Sequence, residues 1–148
     1  MIQKDKLLID AAIEGNPAEV ARLIAAGANV NAVDKNGYTA LMWAASYIQS
    51  AGADRIVADL ISAGADVDMC DDEGRTALMI SAWWSHAKTV TALIATGANV
   101  DAHDHDGNTA LMLAAREGNT ESILALTIAP EAARIAGHML GAHNNPEK

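Results

Sequence analysis

Two apolar triplets, Val20, Leu23 and Ile24, then Val90, Leu93 and Ile94, repeat the spacing that places side chains on one face of a helix. Each segment runs out at a glycine, Gly27 or Gly97, suited to a left-handed helix C-cap. Between and after them stands another pattern. G-Y-T-A-L-M-W-A-A at Gly37 recurs as G-R-T-A-L-M-I-S-A at Gly74 and as G-N-T-A-L-M-L-A-A at Gly107. Gly27, Gly64 and Gly97 open G-A-N-V-N-A, G-A-D-V-D-M and G-A-N-V-D-A, and the glycine spacings are 37 and 33 in both series. The chain therefore reads as a repeated unit of turn, helix, helix and loop. One unit cannot bury its own apolar face, so stability comes from stacking.

Local chemistry supports the register. Thr39, Thr76 and Thr109 stand where an N-cap oxygen accepts from an orphan N–H of the first helix, and Gly37, Gly74 and Gly107 suit tight turns. The second unit is longer: Ala45 to Val57 spans twelve positions, where Ala12 to Val20, Ala82 to Val90 and Ala115 to Ile123 each span eight. Four extra residues make about one helical turn. The first helix is therefore expected to run on through Tyr47 and Ile48 to a bend near Gly52, with Asp54 capping the second helix. Beyond Pro130, the stretch Glu131 to Leu140 is helix-compatible and His143 to Lys148 reads as a frayed tail.

Over about residues 4 to 128 the pattern closely resembles the ankyrin repeat, D-x-x-G-x-T-P-L-H-x-A-A followed by Val, a Leu-Leu pair and G-A-x-x-N-A. The resemblance implies an all-α ankyrin-repeat solenoid of stacked helix-turn-helix units with short hairpin loops. Its units would be an N-terminal cap at 4–33, repeats at 34–70, 71–103 and 104–128, and a C-terminal capping helix and tail at 129–148. The opening K-L-L-I-D-A-A-I-E-G-N looks like the cap, without a hairpin and with polar residues outside. Ala40, Ala77 and Ala110 replace the family's Pro, and Met42, Met79 and Met112 replace its His. These departures imply a softer, apolar seam in place of the polar ties the His would make, with the Met row in the core.

The resemblance also implies a recognition surface for a protein partner on the concave and hairpin side. Its hairpin residues would be Lys35, Asn36, Tyr38, Asp72, Glu73, Arg75, His105, Asp106 and Asn108, and its first-helix residues Tyr47, Trp83, Trp84, Arg116 and Glu117. Trp43 takes a more buried slot. Trp84 is the safer anchor, since Trp83 could instead fill a groove made by the insertion.

Composition narrows the chemistry. Hydrophobic residues reach 51% with aromatics at 3% and no Phe, so the core is aliphatic. The formal charge of -9 repels phosphate backbones, so neither nucleic acid nor an anionic membrane is expected as partner, and a basic surface is. The acid-rich hairpins, with Asp66, Asp68, Asp71, Asp72, Glu73, Asp101, Asp104 and Asp106, serve either solubility or the steering of such a partner. Cys70 is the one cysteine, so no disulfide joins two parts of this sequence. The start has no signal-peptide pattern, and a cytoplasmic monomer is expected, a trimmed periplasmic or secreted form being the alternative. The longest uncharged run, Asn36 to Ala53, is too polar to span a membrane.

His103 and His105, interleaved with Asp104 and Asp106, resemble metal ligands, but they fall on a hairpin where the family already places Asp104, so no metal is expected. No nucleophile elbow and no phosphate-binding glycine loop occurs, so neither a catalytic residue nor a cofactor is expected. The rival readings are a small hydrolase or metal-dependent activity using the acids and His105, and a structural module of a larger protein.

Overall fold

The computed structural model describes residues 2–46, 51–128, 130 and 131. Helices α1 (Gln3–Glu14) and α2 (Pro17–Ala25) form the first pair, α3 (Ala40–Ala45) and α4 (Ala53–Ser62) the second, and α5 (Ala77–Trp83) and α6 (Ala87–Ala95) the third. The fourth joins α7 (Ala110–Arg116) to a helix over 120–128, here α8. Among the described residues the only strand-like pairings are the isolated bridges Cys70–Thr76 and His103–Thr109, which close two hairpins. The fold is an all-α stack.

The element ends follow from the sequence. Thr39, Thr76 and Thr109 hold extended backbone, and their hydroxyls accept from the N–H groups of Met42, Met79 and Met112 at 3.2, 3.3 and 3.3 Å. The outer helices close at Gly27, Gly64 and Gly97, with φ of 87°, 91° and 97°. Two rows result: α1, α3, α5 and α7 pack in series, and α2, α4 and α6 run alongside. Leu8, Leu41 and Leu78 fill one row, and Val20, Val57, Val90, Leu23, Leu60 and Leu93 the other.

Several expectations need correction. Met42 and Met79 are 1% exposed, as a core row requires, but Met112 is 53% exposed. Among the described residues no later helix pair covers it. The outer side of α1 is not purely polar either, since Leu7 and Ile13 are partly exposed. At the insertion α3 stops at Ala45: Ser46 turns extended, with ψ −159°, and its hydroxyl caps Trp43 O at 2.7 Å. Tyr47 and Ile48 lie outside the described residues. The second helix is capped by Gly52 without a side-chain bond, and Asp54 falls inside its first turn, where a carboxylate favours the positive end of the helix dipole. Gly52 sits against the preceding unit, because a Cβ there would lie 2.7 Å from Pro17 Cδ. Of the expected C-terminal cap, Pro130 and Glu131 are helical and 132–148 lies outside the described residues.

The seam is apolar at the Met positions, yet polar ties persist through other groups. Asp72 N–H donates to Asn36 O at 3.2 Å and His105 N–H to Glu73 O at 3.0 Å, joining successive hairpins through backbone alone. On the loops, Asn31 Oδ1 accepts from Asp66 N–H and Asp68 Oδ1 from Asn99 N–H, each at 2.8 Å. Asn119 Nδ2 donates to Ala82 O and Trp83 O of the preceding unit at 2.7 and 3.1 Å.

Candidate functional site

Three buried or half-buried aspartates organise the hairpins. Asp34, Asp71 and Asp104 each accept two backbone N–H bonds from their own turn, at 2.9 to 3.0 Å. Each then uses its remaining capacity differently. Asp34 Oδ2 accepts from Trp43 Nε1 at 3.0 Å, Asp71 Oδ2 from Arg75 Nε at 2.9 Å, and Asp104 from Asn108 Nδ2 at 3.2 and 3.3 Å. The carboxylates thus hold an indole, a guanidinium and an amide in place.

From these anchors a continuous wall follows. Arg75 Nη2 donates to Tyr38 OH at 3.0 Å, and its guanidinium carbon lies 5.8 Å from the Tyr38 ring centre, close enough for a cation–π attraction. Tyr38 meets Trp43 with centroids 4.8 Å apart, tilted at 49°. Across the groove Arg116 Nη2 donates to Asn108 Oδ1 at 2.8 Å, so Asp104 holds Arg116 through Asn108. Burial raises the Asp104 carboxyl, but the bonds from Asn108 and Asp106 N–H and the charge of Arg75 outweigh it and hold the group below the usual carboxylate range. Tyr38 moves the other way: burial pushes its hydroxyl up, nearby carboxylates add to this, and only Arg75 opposes it.

The wall encloses an open cavity of about 430 Å³, within the range of small-ligand pockets. Of the residues expected on the recognition surface, the cavity gathers Tyr38, Glu73, Arg75, Trp83, Trp84, Asp106, Asn108 and Arg116. A neighbouring hollow of about 350 Å³ takes in Asn36 and Asp72 with Tyr38, Glu73 and Arg75. Lys35 and Glu117 are exposed and line neither. His105 has a structural place, its ring covering Gly74, where a Cβ would lie 2.6 Å from His105 Cδ2. Tyr47 lies outside the described residues. Trp43, Met79, Ile80 and Leu113, which stand outside the expected surface, line the same cavity as aromatic wall and apolar floor. The hydrogen-bonding capacity of an indole nine residues from Asp34 was the available signal for Trp43. Trp83 is half-buried against the core and Trp84 is 45% exposed.

The hairpins, the capped helix pairs and the glycine closures recur in register, and comparison places them. A family profile described as "Ankyrin repeats (3 copies)" matches residues 45–135, and one described as "Ankyrin repeats (many copies)" matches residues 8–50. The chain belongs to the ankyrin-repeat family. No curated protein matches it closely enough to serve as a relative. Within an ankyrin stack the hairpin aspartates are structural, and Asp71 and Asp104 of the acid-rich segment therefore spend their charge inside the fold. Among the described residues no three His, Cys, Asp or Glu side chains converge as a metal cage would need, and no helix is long and apolar enough to cross a membrane.

Proposed function

We propose that this ankyrin-repeat chain binds a protein partner along the groove between its hairpins and inner helices. Ankyrin repeats are generally protein–protein interaction modules, and here one observation carries the choice of face. Trp84 is exposed and Trp83 half-exposed beside an open cavity rimmed by Glu73, Arg75, Asp106 and Arg116. Large rings set among charges match the anatomy of an interface hot spot. In this reading the face is built by repeats 34–70, 71–103 and 104–128, stacked on the unit at 4–33. The exposed acids Asp72, Glu73, Asp101 and Asp106 would steer a partner with a basic surface. A hydrolytic reading is weaker, because the buried acids Asp71 and Asp104 are saturated by their own hairpins.

The test is Trp84→Ala, measured against a partner first captured and identified with the unaltered chain. Losing one anchor costs roughly 2 kcal/mol or more, so affinity should fall about thirtyfold at about 1.4 kcal/mol per tenfold. The melting temperature should stay nearly constant. A collapsed melt with unchanged affinity per folded molecule would make Trp84 a stacking residue and move the face elsewhere.

A further inference from the structure

We infer that the cavity at Trp83 and Trp84 takes a long basic side chain of the partner, lysine or arginine, its stem on the Trp83 ring and its charge between Glu73 and Asp106. This rests on the groove being the binding face and adds what enters it. Charge pairing inside the cavity gives the argument. Asp71 takes up Arg75 through contacts of 2.8 and 2.9 Å, and Asp104 holds Arg116 through Asn108. Arg75 is thereby paired with a buried carboxylate and Arg116 is tied to one only through a neutral amide, while the acids Glu73 and Asp106 stand exposed at the cavity. Glu73 has only a 3.5 Å approach to Arg75 with its side chain 71% exposed, and the Asp106 carboxylate makes no hydrogen bond or ion pair among the described residues. The bond from His105 N–H to Glu73 O ties these two acids onto adjoining hairpins at the same cavity.

The second observation is that the site already accommodates one group of this kind. Arg75 lies between a carboxylate and the Tyr38 ring in this same wall, so carboxylate plus aromatic ring is a working guanidinium seat in this protein. The Trp83 and Trp84 side offers rings and carboxylates in the same cavity, the half-buried Trp83 ring being accessible apolar surface for methylenes. A long basic side chain satisfies both parts, since its stem buries on apolar surface while its head reaches the acids. A carboxylate there would gain Arg116 but meet Glu73 and Asp106, and a purely apolar side chain would leave Asp106 without an ion pair and Glu73 with only its 3.5 Å approach to Arg75.

A random peptide library displayed on phage, panned against the full chain, supplies the probes. Selected peptides are resynthesised and titrated by tryptophan fluorescence against the unaltered chain, Trp84→Ala, the Glu73→Gln/Asp106→Asn pair, and Asp101→Asn as a charge control outside the cavity. The expected result is a peptide that weakens with Trp84→Ala and depends on one Lys or Arg. Replacing that residue by norleucine should cost about tenfold, and so should the Glu73→Gln/Asp106→Asn pair. The norleucine peptide should then be indifferent to the pair, and Asp101→Asn should change affinity by less than about twofold. Trp84-dependent peptides with no basic requirement, or that bind the paired variant more tightly, would overturn the inference and leave the groove as a binding face. Peptides that ignore Trp84→Ala would overturn the face itself.

Discussion

Ser85 holds φ at 65° and is the one residue besides glycine with positive φ among those described. Gly15 and Gly118 take the same place in other units, at 68° and 69°. Left-handed backbone costs a non-glycine residue about 1–2 kcal/mol, so Ser85→Gly is expected to raise stability by about 1 kcal/mol and the melting temperature by about 3 °C. A scanning-calorimetry melt that falls would refute the strain argument. Gly74 shows the opposite dependence. Its φ of 79° and the closeness of His105 Cδ2 mean that Gly74→Ala adds both strain and collision, and a loss of about 2–3 kcal/mol is expected from chemical denaturation. In a His105→Ala background the collision with the ring goes, the 3.1 Å approach to His105 N and the backbone strain stay, and the loss should shrink to about 1–2 kcal/mol. An equal loss in both backgrounds would mean that His105 does not pack as described. Features of this kind were legible in part: the threonine caps and closing glycines act within a few residues, so their roles can be read locally. The mate of Gly74 comes from the next unit, which no local pattern reveals.

At the scale of the element, the hairpin is the informative piece. Asp104 is held below its ordinary range by bonds from Asn108 and Asp106, while the unfolded chain titrates near 3.9. Its stabilising contribution is therefore present above about pH 4 and is lost as pH falls through the lower native value. Asn108→Ala removes the side-chain amide and leaves both backbone donors. The stability gap between the unaltered chain and this variant should be widest near neutrality and narrow below pH 4, as urea unfolding at several pH values would reveal. A gap of constant size down to pH 2 would contradict that role. The inserted segment shows where the sequence reading stops. Four extra residues suggested one more helical turn, but Ser46 caps Trp43 O and turns extended, and Gly52 lies against Pro17 of another unit. Residue count fixed neither end: Ser46 closes the helix by a bond within its own last turn, and Gly52 is placed by a contact that exists only after stacking.

For the whole molecule, repeats written as equal are not equal once stacked. Met42, Met79 and Met112 occupy one motif position, yet two are sealed and the third is open, a difference that arises from place in the series rather than from residue type. The groove is likewise a property of several units: each hairpin could be read from its D-x-x-G-x-T pattern, while the meeting of Tyr38, Arg75, Trp84 and Arg116 required the stack. The nearest-neighbour packing of the rows has a further consequence. Helix pairs that lean chiefly on adjoining pairs open in sequence from the end of a stack, and among the described residues Leu111, Met112, Leu124 and Ile128 are exposed at the α7–α8 end. Amide deuterium exchange should therefore be slowest in α3 and α5 and faster toward α7 and α8, and uniform exchange through a single global opening would exclude this gradient. Since Arg116 belongs to α7 and Trp84 caps α5, a partner seated in the groove would span the interface that opens early. Its arrival should slow exchange in α7 far more than in α1, so that the molecule tightens at one end as it is occupied.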